Sequence, residues 1–230
     1  PGRITNSGRN WDQLTAENPS ADNVRIFRVR PDYKNADLSA EAKDEGVSAE
    51  AVRAQYAKDW SEWPAAAGAP YTGVNKNGQY DPSVDIAGFP GADQTIWFVS
   101  NDLDNGKTTF MYGSNPMGIE AQTTVWGYNV QGPLSNMLFR KYTIINKSDK
   151  TFEDMYVSMW SDPDLGDASD DYAGCDTTLS LGYIYNGTAI DATYGKYVPA
   201  AGFDFFQGPI VKGSPTDEAI FNNKKIQGYK

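Results

Sequence analysis

Residues 119–128, IEAQTTVWGY, place Ile119, Ala121, Thr123 and Val125 on one side of an extended chain and Glu120, Gln122, Thr124, Trp126 and Tyr128 on the other. A period of two fits a pleated strand and no helix, and the mixed faces predict a half-exposed antiparallel strand. Comparable segments surround it. TIWFVSND (95–102) and TTFMYGS (108–114) flank Asp104-Asn105-Gly106, a dense signal for a tight hairpin turn. MLFRKYTIIN (137–146) and FEDMYVSMW (152–160) flank polar turn residues Asn146 to Lys150, so a second hairpin is expected there. In its second arm Met155, Val157 and Met159 face one way and Phe152, Tyr156 and Trp160 the other, as in an inner strand. TLSLGYIYN (178–186) and AGFDFFQGP (201–209) add two more strand segments. Strands joined by turns in this way predict an all-β chain: an antiparallel β-sandwich, jelly-roll or Ig-like, over residues 93–230.

Residues 1–92 read differently. The first 23 are polar and turn-rich, an arm or irregular lead-in, and Val24 to Arg30 (VRIFRVR) is a strand stopped by Pro31. Arg25, Arg28 and Arg30 are expected to meet nearby carboxylates. Residues 49–62 form the one expected helix, with Ser48 as N-cap and Pro64 as stop. Val52, Tyr56, Trp60 and Trp63 lie near helical spacing, which predicts a face docked onto the sheet. This region is therefore expected to pack on the sandwich.

Composition removes whole classes of chemistry. The 230 residues contain no histidine and one cysteine, which excludes Ser-His-Asp and Cys-His catalysis, His-ligated zinc and c-type haem. Cys175 cannot form an intrachain disulfide, and burial is the expected fate of its thiol. A formal charge of −10 argues against nucleic acid and anionic membranes as partners. No apolar run is long enough to insert into a membrane and no signal peptide is visible. The chain opens at Pro1, without a methionine, and is read as a piece of something longer.

Two stretches suggest a hard cation. Asp162, Asp164, Asp167, Asp170, Asp171 and Asp176 crowd the connection after Trp160. Alternating oxygen ligands followed by Gly166 suit the 6–8 oxygens that calcium prefers, while a catalytic carboxylate cluster and a solvated acidic turn are the other readings. Asn75, Asn77, Gly78, Asp81 and Asp85 resemble a calcium loop in which Gly73 replaces the first acidic ligand; a plain turn rich in Asn, Gly and Pro is the alternative. Structural Ca2+ is the expected cofactor. Glu120 and Glu153 are the one candidate glycosidase pair, although a surface position is the commoner fate of such residues. Trp126, Tyr128, Tyr183 and Tyr185 suit either packing or stacking on sugar rings.

The blocks GADQTIWFVSNDLD (91–104), GIEAQTTVWGY (118–128), MLFRKYTIINKS (137–148), DMYVSMWSDPDLGDASDDYAGCDTTLSLGYIYN (154–186) and AGFDFFQGP (201–209) together resemble large uncharacterised exported proteins of the Bacteroidota and related phyla. The resemblance implies a multi-module secreted or cell-surface polypeptide, often a substrate of type IX secretion, with no established activity. A sorting domain is not visible in this chain, and relatives usually have Asp where Gly73 stands. The expected function is a non-enzymatic structural or adhesive building block of the cell surface or extracellular matrix. It would be stabilised by calcium and polymerise through other copies or modules. The alternative is a glycan-binding or glycan-degrading module.

Overall fold

The alternation at 94–101 and 119–127 becomes two paired antiparallel strands in the computed structural model, which describes residues 1–221 and 223–230. The chain divides into two units, Pro1–Thr151 and Phe152–Lys230. In chain order the first contains β1 (Phe27–Val29), α1 (Ser39–Glu45), α2 (Ala49–Ser61), β2 (Tyr71–Thr72), β3 (Ile86–Ala87), β4 (Gln94–Asn101), α3 (Asn105–Tyr112), β5 (Ile119–Gly127) and β6 (Leu138–Asn146). The second contains β7 (Asp171–Asp176), β8 (Leu181–Asn186), β9 (Ala200–Asp204), β10 (Glu218–Phe221) and β11 (Lys224–Gln227). Among the described residues the strands form four open, antiparallel sheets, ordered β1-β4-β5-β6, β2-β3, β7-β8-β9 and β10-β11.

The core of the first unit lies where α2 meets its main sheet. Phe27 and Val29 of β1, Trp97 and Val99 of β4, and Trp63, Ala69 and Ala87 bury together. Val52 and Tyr56 of α2 close a second cluster with Tyr33, Leu38 and Ala42, and Trp60 packs against both. The stripe is a docking face, but only Trp60 and Trp63 reach the sheet as expected, while Val52 and Tyr56 pack on Tyr33, Leu38 and Ala42. Ser48 caps the helix through its side chain, accepting the Ala51 N–H.

The arginines of the lead strand meet acids, also as expected. Arg25 pairs with Asp59, Glu62 and Asp22, Arg28 with Glu45, and Arg30 with Asp32 and Glu41. Strand structure there is shorter than read, because Asp22–Val24 turn as a 3-10 helix before β1.

Several expectations fail for identifiable reasons. Residues 108–114 do not return as a strand: the Asp104 side chain accepts the Lys107 N–H, caps α3, and Gly113 ends it in the left-handed region. Asp102 then receives the N–H groups of Met117, Gly118 and Ile119, so the return strand starts only at β5. Three helices occur among the described residues where one was expected. The hairpin joining 137–146 to 152–160 does not form either, since β6 pairs with β5 and residues 152–160 are not in a strand. That segment alternates, but alternation does not supply a hydrogen-bonding edge.

The expected boundary at 92/93 falls inside the first unit, where β4 needs β1 as its sheet neighbour. The N-terminal arm is not loose. The Gly2 N–H donates to the Val99 carbonyl, Ile4 pairs with Ala16, Arg9 pairs with Ser148, and Ile4 and Leu14 are buried. In the second unit, part of the acidic loop is β7, and β10 pairs antiparallel with β11.

Candidate functional site

The acidic connection does not gather its six aspartates around one point. Asp162 and Asp164 are exposed in an irregular segment. Asp167 caps a short 3-10 turn, accepting the Ser169 N–H at 3.0 Å and its hydroxyl at 2.6 Å. Asp176 makes the same kind of turn with Thr178 at the far end of β7. Asp171 starts that strand, and five strand steps, roughly 16 Å, separate it from Asp176. Only Asp170 and Asp171 stay together. Asp171 Oδ2 accepts the Leu165 N–H at 2.8 Å, and Asp170 Oδ2 accepts Asn186 Nδ2 at 2.8 Å and the Thr188 hydroxyl. Among the described residues no group of three or more His, Cys, Asp or Glu side chains is placed to hold a metal.

The organising carboxylate of this region is one that sequence reading missed. Asp191 is buried and accepts the N–H groups of Asp167, Thr193 and Tyr194 at 2.9, 2.7 and 2.6 Å. Gly166, with φ +87°, passes against it where a Cβ would lie 2.3 Å from an Asp191 oxygen. The donated N–H groups of Asp167 and Tyr194, then that of Thr193, hold the Asp191 carboxyl below its ordinary value of 3.8. Asp167 and Asp176 are lowered too, first by the hydroxyls of Ser169 and Thr178 and next by the same residues' N–H groups.

A carboxyl depressed in the folded state stabilises the fold above its unfolded value and loses that contribution as pH falls through the folded one. The second unit is therefore expected to keep its stability down to about pH 4 and lose it steadily below that. Asp191→Asn should remove part of this slope. Denaturant melts at pH 6, 4, 3 and 2 check it, and a flat profile across that range contradicts it.

The other candidate loop closes on itself. Asn75 and Asn77 are exposed and accept the N–H groups of Asn77 and Gln79, and Asp81 accepts the N–H and hydroxyl of Ser83. Asp85 is buried, and its two oxygens take the Val74 N–H at 2.8 Å and the Asp81 N–H at 2.9 Å. Each of these side chains therefore accepts at least one backbone N–H within the loop.

Glu120 is not at the surface. It is 1% exposed, its Oε2 accepts the Ile4 N–H at 2.7 Å and its Oε1 accepts Gln122 Nε2 at 3.2 Å. Lys147 Nζ lies 3.9 Å away. A carboxylate sealed under the N-terminal arm is not placed to protonate a glycosidic oxygen.

The aromatics form two rows. Phe89 stacks on Trp126 at 3.9 Å, Trp126 on Phe139 at 5.6 Å, and Tyr128 meets Phe139 edge-on. In the second unit Tyr183 and Tyr185 lie on one face of β8, with Tyr172 opposite Tyr185 across the ladder. All three are exposed. So is Cys175, against expectation, because β7 has only β8 as a neighbour and little covers it. No helix among the described residues is long and apolar enough to cross a membrane. No known protein family, curated protein or solved structure matches the chain.

Proposed function

We propose that this chain is a non-enzymatic structural or adhesive building block of the cell surface or extracellular matrix, which packs against further copies or modules. The observation that carries the reading is the second unit's uncovered apolar surface. Among its described residues only one hydrophobic side chain, Leu165, is buried, while Tyr156, Trp160, Tyr172, Tyr183 and Tyr185 are exposed. Apolar surface on this scale marks an interaction face. Leu138, Tyr142 and Ile144 expose one side of the edge strand β6 as well, and Phe110, Met111 and Tyr112 project from α3.

The finer architecture, an antiparallel β-sandwich of jelly-roll or Ig-like type, belongs to the same proposal, since an open sheet with an apolar face needs a second layer. The acidic composition and the resemblance to exported Bacteroidota polypeptides support an extracellular location.

One observation favours a glycan-binding module as the second reading: the half-exposed aromatic row of Phe89, Trp126, Phe139 and Tyr128. Negative-stain microscopy together with a glycan array separates the two. Ordered fibres or sheets without sugar binding are expected. Discrete monomers that bind a defined sugar contradict the first reading.

A further inference from the structure

Three buried side-chain oxygens have no hydrogen-bond partner among the described residues: Asp170 Oδ1, Asp171 Oδ1 and Asn186 Oδ1. They come from one neighbourhood. Asp171 and Asn186 are directly opposed across β7 and β8, so their side chains share a face with Cβ atoms about 5 Å apart. Asn186 is only 9% exposed, and its Nδ2 donates to Asp170 Oδ2 and to the hydroxyl and carbonyl of Thr188. Those acceptors fix which end of the amide is nitrogen, and its oxygen is left with no donor to accept from.

The remaining oxygen of each aspartate is anchored: Leu165 N–H holds Asp171 Oδ2, and Asn186 and Thr188 hold Asp170 Oδ2. Gly187 tightens the turn by donating its N–H to the Asp170 carbonyl at 2.7 Å, in a space where a Cβ would strike the Tyr172 ring. The orphan oxygens are therefore held in place rather than free to turn towards solvent.

Such an arrangement lacks a positive charge. No Lys or Arg among the described residues lies within ion-pair distance of Asp170 or Asp171. Asp170 and Asp171 are half-buried, with one oxygen of each out of reach of solvent; without a counter-charge that arrangement is unfavourable, and a water molecule would offer protons but leave both charges uncompensated.

We propose that Asp170, Asp171 and Asn186 are ligands of a structural calcium ion. Two carboxylate oxygens and one amide oxygen form a hard donor set, and calcium accepts such mixed sets in flexible geometry, completing its shell with carbonyls or water. Zinc and copper would seek imidazole or thiolate. The chain has no histidine, and its one thiol, Cys175, lies four strand positions beyond Asp171. Asn186 is the member that a search for acidic clusters passes over. Asp162, Asp164, Asp167 and Asp176, expected as ligands from sequence, form no metal-holding group with Asp170 and Asp171 among the described residues. The inference rests on the buried oxygens alone and does not depend on the assembly proposed above.

The full chain, freed of divalent ions with a chelator, is titrated with calcium chloride by calorimetry. Displacement of terbium, sensitised by the nearby Tyr172 and Tyr185, provides a second readout. Asp171→Asn and Asn186→Ala are each expected to weaken calcium binding about tenfold or more, whereas Asp164→Asn and Asp176→Asn bind like the parent. Should Asn186→Ala fail to fold, Asp170→Asn, which keeps an oxygen to accept from Asn186 and Thr188 and removes one charge, carries the test and is expected to weaken calcium binding about tenfold or more. Absence of calcium binding by the parent up to about 10 mM, beyond the weak extracellular range, overturns the proposal. So does a loss in Asp164→Asn as large as that in Asp171→Asn.

Discussion

Asp59→Ala is expected to destabilise the first unit by about 3–5 kcal/mol, the cost of removing one partner from a buried charge pair. Asp59 is 1% exposed on α2. Its Oδ1 accepts Arg25 Nε at 2.8 Å and Gln55 Nε2 at 3.0 Å, and its Oδ2 accepts the Arg28 N–H at 3.0 Å. One carboxylate therefore joins the helix to the strand it covers. Alanine would leave the Arg28 N–H without its acceptor and the Arg25 guanidinium short of a counter-charge. Arg25 keeps Asp22 and Glu62, which places the effect towards the lower end of the range. For a unit of this size that corresponds to a melting temperature lower by roughly 6–12 °C. Urea unfolding followed by tryptophan fluorescence measures it. A loss below about 1 kcal/mol would show that the pair behaves like an exposed one.

Trp97→Ala is expected to cost a similar amount, about 3–5 kcal/mol, by a different route. Trp97 is buried at the middle of β4, opposite Phe27 of β1 and Thr124 of β5. Its ring lies 6.3 Å from that of Phe27, which meets Trp63 edge-on at 6.4 Å. Truncation would open a cavity between sheet and helix that the surrounding aromatics cannot collapse to fill. Trp97→Phe, which retains a ring, should recover more than half of the loss. Equal losses for the two variants would mean that the indole N–H or shape, rather than filled volume, is what the core requires.

How much of this was legible depended on the range of the interaction involved. β4, β5 and β6 follow from alternation, and α2 from its cap, stripe and stop, because each signal lies within a few residues of what it specifies. α3 was misread because Asp104-Asn105-Gly106 suits a hairpin turn and a helix start alike, and the Asp104 side chain settles the choice. Residues 152–160 carry the same alternation as β5, but strand formation needs an available edge elsewhere in the chain. Glu120 looked like a surface residue because its partner, the Ile4 N–H, is 116 residues away. Of the three ligands proposed for calcium, the sequence reading included Asp170 and Asp171 and passed over Asn186. Asp170 and Asp171 stood among six similar residues, and Asn186 joins them only through the β7–β8 register.

The placement of the N-terminal arm also constrains the order in which the first unit can be completed. A chain made from its N-terminus presents Gly2, Ile4, Gly8 and Arg9 long before their partners, which are Val99, Glu120, Lys147 and Asp149. None of these bonds can form until most of the unit has been synthesised. Closing a loop of 116 residues costs roughly 2 kcal/mol more in chain entropy than closing one a tenth as long. The β4-β5-β6 meander, whose strands are neighbours in sequence, carries no comparable penalty. Until the arm settles, Glu120 is without the Ile4 N–H that helps to satisfy its charge, and that end of the sheet remains open to water. Residues made earlier thus complete a surface that later residues must first build.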